Sequence, residues 1–133
     1  MDSKRLAQLC CAYADDRKAE NPVILDLREI SSITDFFIIL TGGSSPHLRA
    51  IAEEVTDKIR QDHDIRPRQM DGKGSGNWVV IDYYDVIVHV MSEDMRNRYN
   101  LEGLWGDAPR VKPRKPRGMG PVRKNAVSRN QVS

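Results

Sequence analysis

Several features that would narrow the reading quickly are missing from these 133 residues. No apolar run approaches the roughly 20 residues that a membrane helix needs, which excludes a transmembrane class. The only cysteines, Cys10 and Cys11, are adjacent. Neighbours hardly bridge and there is no third thiol, so a disulfide framework is excluded and a reduced, cytoplasmic compartment is expected. The first residues, MDSKRLAQLCCAYADD, mix charges of both signs. They have neither the apolar core of a secretory signal nor the acid-poor composition of a transit peptide.

Acidic residues are also missing from one end. Residues 110–133 hold eight basic side chains (Arg110, Lys112, Arg114, Lys115, Arg117, Arg123, Lys124 and Arg129) and no carboxylate. The chain has 21 Lys and Arg against 19 Asp and Glu, so residues 1–109 keep 13 basic against all 19 acidic groups, a net charge of −6. That body has the length of one domain of about 100 residues with a single core. The basic stretch offers only Val111, Val122, Val127, Val132, Met119 and Ala126 for burial, too little for a core. The expected organisation is a domain over 1–109 and a disordered basic tail over 110–133.

Within the body, Leu6, Leu9, Cys10 and Tyr13 recur at helical spacing after Ser3, a plausible N-cap, and Asn21-Pro22 should break that helix. Val23, Leu25 and Leu27 alternate as in a half-buried strand, and Asp35–Thr41 reads as a strand buried on both faces. Ser45 fits an N-cap and Pro46 the first position of a second helix, with Leu48, Ile51, Ala52, Val55 and Ile59 in one stripe. Arg66–Met70 is a weak strand. Trp78–Tyr83 and Val86–Met91 form an antiparallel hairpin about Tyr84-Asp85, and Ser92 caps a last helix before a helical Leu101–Trp105. The order α-β-β-α-β-β-β-α gives an α/β domain whose helices cover a mixed sheet, ending at Asp107-Ala108-Pro109.

The hairpin is the most informative element. Its register puts Val79, Ile81, Tyr83, Val86, Val88 and Val90 on one apolar, core-side face. The opposite face pairs Trp78 with Met91, Val80 with His89, and Asp82 with Ile87. Two readings of that mixed face stay open: another helix covers it and Trp78 is core, or it is partly open and docks a protein, as tryptophan and methionine among a few polar groups often do.

Signals for catalysis are weak. Gly42-Gly43-Ser44-Ser45 at a helix start can present N–H groups to a phosphate, but the P-loop pattern is absent. A nucleotidyltransferase would need paired carboxylates on the next strand to hold metal ions. Asp62 and Asp64 stand at a helix end instead, and Asp82 and Asp85 do not share a strand face. His47, His63 and His89 have no ligand-like spacing. No cofactor or metal is expected. The alternatives to a docking protein are a nucleotidyltransferase-like enzyme using the Gly-Ser turn, and an RNA-binding module led by the tail, whose charge suits a phosphate backbone.

An ordered set of segments carries a family likeness: Leu25-Asp26-Leu27, Ser31–Asp35, Thr41–Ser45, Trp78–His89 and Tyr99–Trp105. With them the chain resembles the ribosomal silencing factor family, also called Iojap or YbeB-like, over about residues 3–109. That family usually has Gly where this chain has Tyr84, and Asp where it has Asn100. The resemblance implies a nucleotidyltransferase-like fold without its catalytic carboxylates, and so no enzymatic activity. It implies binding to the large ribosomal subunit through ribosomal protein fourteen, which blocks joining of the small subunit and represses translation when nutrients are scarce. Carried onto this sequence, the docking surface is Trp78, Val80, Asp82 and Tyr83, with His89 and Met91 as cross-strand neighbours. The same face is a candidate for homodimer contact. Ribosomal RNA contact is expected of Arg110, Lys112, Arg114, Lys115 and Arg117.

Overall fold

The computed structural model describes residues 1–113. Helix α1 (Ser3–Asp15) is followed by strands β1 (Glu20–Asp26) and β2 (Phe36–Thr41), then helix α2 (Ser45–His63). Strands β3 (Gln69–Asp71), β4 (Trp78–Asp82) and β5 (Val86–Met91) come next, then short helices α3 (Glu93–Tyr99) and α4 (Leu101–Leu104), and strand β6 (Arg110–Val111). The six strands form one sheet in the order β3-β4-β5-β2-β1-β6. Only β2 and β5 run parallel, so the sheet is mixed, as expected.

Helices α1 and α2 cover one face. The α2 stripe of Leu48, Ile51, Ala52, Val55 and Ile59 is buried, as is the α1 stripe of Leu6, Leu9, Cys10 and Tyr13. They meet Ile24, Phe36, Ile38 and Leu40 and the core side of the hairpin. Their apolar burial supplies most of the driving force for this layer. Two caps fall one residue before the expected positions. Asp2 caps α1 by accepting from the Lys4 amide at 2.9 Å, while Ser3 Oγ donates to Asp35 Oδ2 at 2.8 Å. Ser44 caps α2 by accepting from the His47 amide, which puts Pro46 one place inside the helix.

The first helix ends at Asp15, ahead of Asn21-Pro22, and those two residues lie inside β1. There the β1–β2 register shifts between Glu20 and Val23 and Asn21 has φ 48°. Such a bulge accommodates a proline that has no N–H to give to a ladder.

The second face of the sheet is covered in part by α3 and α4. Leu25, Leu27, Ile39, Met91 and Ala108 form a smaller core there, flanked by Val23, Phe37, Trp78, Met95, Leu101 and Trp105. Strand β1 is therefore buried on both sides at Ile24 and Leu25, where alternation predicted a half-buried strand. Buried Arg96 fastens this cover. Its guanidinium donates to both Glu102 oxygens, at 3.0 and 3.1 Å, and to Thr41 Oγ1 at 2.8 Å. Asn100 joins the two helices with φ 46°, a left-handed conformation that Asn tolerates better than most residues, and its Oδ1 accepts from the Gly103 amide.

The sheet also runs past Pro109. The Asp26 amide donates to the Pro109 carbonyl at 2.8 Å, and Leu25 and Ile24 pair with Arg110 and Val111. Arg110 and Val111 therefore belong to the folded body, two residues beyond the expected boundary. Lys112 is also described and exposed, its carbonyl accepting from Gln8 Nε2 at 3.4 Å, whereas residues 114–133, with Arg114, Lys115 and Arg117, lie outside the described residues.

Candidate docking face

The hairpin pairs as expected: Trp78 with Met91, Val79 with Val90, Val80 with His89, Ile81 with Val88 and Asp82 with Ile87. The Tyr83 amide closes the ladder on the Val86 carbonyl at 2.8 Å. At the tip, the Asp85 amide donates to the Tyr83 carbonyl and Tyr84 has φ 72°. This is a tight three-residue turn in a conformation that a bulky side chain rarely adopts. Side chains hold it. Asp82 Oδ1 accepts from the Tyr84 amide at 2.8 Å, Thr34 Oγ1 donates to the Tyr84 carbonyl, and the Arg68 guanidinium lies 4.4 Å from the Tyr84 ring centre. Arg68 also pairs with Asp82 at 2.8 Å. Partial burial pulls the Asp82 carboxyl upward, but the hydrogen bonds from Arg68 and the Tyr84 amide, with the Arg68 charge, outweigh it and hold Asp82 below its ordinary value.

The core-side face is as expected, with Val79, Ile81, Tyr83, Val86, Val88 and Val90 all buried. The opposite face divides between the two readings. Met91 is fully buried and His89 is 7% exposed, while Trp78, Val80, Asp82 and Ile87 are half-buried. Trp78 packs beside the α3–α4 cover, 4.9 Å from the Tyr99 ring, and its indole Nε1–H donates to His89 Nδ1 at 3.1 Å. The His89 ring meets Phe37 edge-on at 4.8 Å. Burial pushes the imidazole down to about 4, so it is neutral at ordinary pH.

The six residues carried over for docking therefore do not share one surface. Trp78, Val80 and Asp82 stand in a row along β4 on the half-open face. Tyr83 points to the opposite side, into the α1–α2 core, with a buried hydroxyl that has no partner. Burial, with a smaller push from Cys10, drives its phenol far above the ordinary value. His89 and Met91 lie beneath the surface because α3, α4 and Phe37 cover their end of the face. Ile87, paired with Asp82, and Tyr99, against Trp78 and 53% exposed, extend the apolar exposure; Leu104 on α4 is 72% exposed. Beside Trp78, a cleft of about 440 Å³ is lined by Asp71, Gly72, Ser75, Asn77, Trp78, Val80 and Met95. Tyr99 and Leu104 sit on helices too short to show a stripe; only their place in the Tyr99–Trp105 segment marked them.

The Gly-Ser turn spends its polar groups internally. The Gly43 amide donates to His47 Nδ1 at 2.8 Å, His47 Nε2 lies 2.7 Å from the Arg17 carbonyl, and Ser45 Oγ donates to the Gly76 carbonyl. A Cβ on Gly42 would meet Leu48 Cδ2 at 2.7 Å, so glycine there reflects close packing of turn on helix. Asp62 accepts from the Tyr13 hydroxyl at 2.7 Å, and Asp64 pairs with Arg66. Among the described residues no group of three or more His, Cys, Asp or Glu could hold a metal ion, and no helix is long and apolar enough to cross a membrane. Cys10 and Cys11 are buried; burial raises both thiols, Cys11 to about 12, which leaves little reactive thiolate.

Comparison with known proteins identifies the family. The sequence model of a family described as "Ribosomal silencing factor during starvation" matches residues 1–132. Ribosomal silencing factor RsfS of Halalkalibacterium halodurans is 45% identical over 111 residues, 84% of this chain and 94% of that one. Its counterpart in Bacillus subtilis is 40% identical over 109 residues, 82% and 92% of the two chains. A crystal structure of a Chromobacterium violaceum protein superposes with a TM-score of 0.76 at 31% identity, over 80% of this chain and 88% of that one. With the same mixed α/β fold and this extent of identity, the chain belongs to the ribosomal silencing factor family.

Proposed function

We propose that this protein acts in the cytoplasm by occupancy rather than catalysis. It docks on the large ribosomal subunit through ribosomal protein fourteen, covers surface that the small subunit needs, and so represses translation under nutrient limitation. Family membership supports the regulatory role. The observation that carries the docking reading is the row Trp78, Val80 and Asp82 on the half-open side of β4, continued by Ile87 and Tyr99. An aromatic anchor held in place among aliphatic groups is the usual composition of an interface hot spot. An acidic body suits a protein target better than bare RNA, and the basic residues from Arg110 onward are proposed to reach adjacent ribosomal RNA.

Val80→Glu tests the reading with least risk to the core, because Val80 is half-buried on the open face. The variant should keep the wild-type urea transition and lose co-sedimentation with large subunits; normal binding by the folded variant contradicts the docking face. The RNA contribution is read from a chain cut after Pro113, which retains β6. Specific binding should persist with a smaller dependence on salt. Complete loss of binding would make the basic segment the principal site instead.

A further inference from the structure

Trp78 opens β4 two residues after Gly76 and is only half-buried, so packing alone does not enclose its ring. The ring is nevertheless held from two sides. The Tyr99 ring packs against it at 4.9 Å, tilted by 54°, and His89 Nδ1 accepts the indole N–H at 3.1 Å. An indole nitrogen only donates, so the acceptor Nδ1 carries no proton, and the proton of the neutral imidazole sits on Nε2. Nε2 is buried and has no hydrogen-bond partner. A buried N–H without a partner is a costly arrangement. The other tautomer would set N–H against N–H at Trp78, so the indole dictates which nitrogen is protonated. His89 itself is well braced: it lies on β5, between β4 and β2, with Phe37 against its ring.

We infer that His89 is the positioning residue of the docking face, holding the Trp78 indole in the orientation that meets the partner while making no contact with the partner itself. This rests on the docking reading above and assigns a different role to His89, which the sequence placed among the contact residues. A ring fixed before binding loses less freedom on binding, which favours affinity. Burial keeps the imidazole neutral, so the acceptor is present at ordinary pH.

The test uses the full-length, 15N-labelled protein and two variants. His89→Asn puts an oxygen where Nδ1 stands. His89→Leu removes the acceptor together with the orphaned Nε2 donor, and is expected to fold. The wild-type imidazole spectrum should show the Nε2–H tautomer. In His89→Leu the Trp78 indole N–H resonance, assigned against Trp105→Phe, should shift and exchange faster with water, and affinity for large subunits should fall about tenfold or more. His89→Asn should restore most of both. An Nδ1–H tautomer in the wild type overturns the inference, as does a folded His89→Leu with wild-type affinity. A folded His89→Asn that keeps the indole hydrogen bond but binds as weakly as His89→Leu overturns it as well. If His89→Asn does not fold, the wild-type tautomer and His89→Leu decide. If the spectra behave as expected but wild-type protein does not bind large subunits, the docking reading fails, separately from the imidazole–indole pairing.

Discussion

Replacing Arg96 by methionine strikes the clamp that holds α3 and α4 over the second face of the sheet. Arg96 is 9% exposed and gives two charge-assisted hydrogen bonds to Glu102 and one to Thr41. Methionine keeps most of the buried stem and removes all three bonds. Truncating one partner of a buried ion pair costs roughly 3–5 kcal/mol. The Glu102 side chain is 22% exposed and can be hydrated once abandoned, so the low end, about 3 kcal/mol, applies. At about 4 °C per kcal/mol for a domain of this size, Tm should drop by roughly 12 °C. Urea unfolding followed by tryptophan fluorescence reads the same change, since Trp78 and Trp105 both pack in the region Arg96 secures. Amide exchange should accelerate in α3 and α4 more than in β2 or α2. Adding Glu102→Gln to Arg96→Met should recover part of the loss, because the abandoned charge is then gone. A single variant within about 0.5 kcal/mol of wild type would refute the idea that this ion pair holds the cover in place.

Two further perturbations follow from the same region. His89 titrates near 4 in the fold against 6.5 for the free side chain, so the unfolded chain takes up the proton first as pH falls. Stability should be unaffected above 6.5 and decline by up to about 3 kcal/mol as pH drops to 4; urea midpoints across that interval should fall in the wild type and flatten in His89→Leu, and equal slopes would contradict the assignment. Tyr84→Gly should release roughly 1–3 kcal/mol of strain at φ 72°, offset by about 1–2 kcal/mol from the lost Arg68 stack and added chain entropy, so the middles of the two ranges leave a net gain of about 0.5 kcal/mol. A urea midpoint lowered by the equivalent of more than about 1 kcal/mol in that variant would mean the turn is not strained.

How far the sequence could be read depended on periodicity. The α2 stripe and the hairpin register were legible because each spans enough residues for a period to repeat and faces a single core. The second face was not. Helix α3 has seven residues and α4 four, too few for a stripe, so nothing in the sequence showed that they would bury Met91 and His89 while leaving Trp78 and Val80 partly open. Strand β6 has two residues at the start of a basic, proline-containing segment and exists only through its pairing with β1. The caps were displaced by one residue because Asp2 and Ser3, like Ser44 and Ser45, are adjacent capping types. How the tight turn tolerates Tyr84 in place of the family's Gly was not legible, because the side chains that stabilise it, Asp82, Arg68 and Thr34, come from three separate segments.

Subunit joining is the most direct test of action by occupancy. Large subunits are incubated with the protein, small subunits are added, and joined ribosomes are resolved on a sucrose gradient. Wild-type protein should lower the joined fraction in proportion to the large subunits it occupies, and Val80→Glu, folded but unable to dock, should leave joining unchanged. Large subunits saturated with wild-type protein that still join normally would contradict the account.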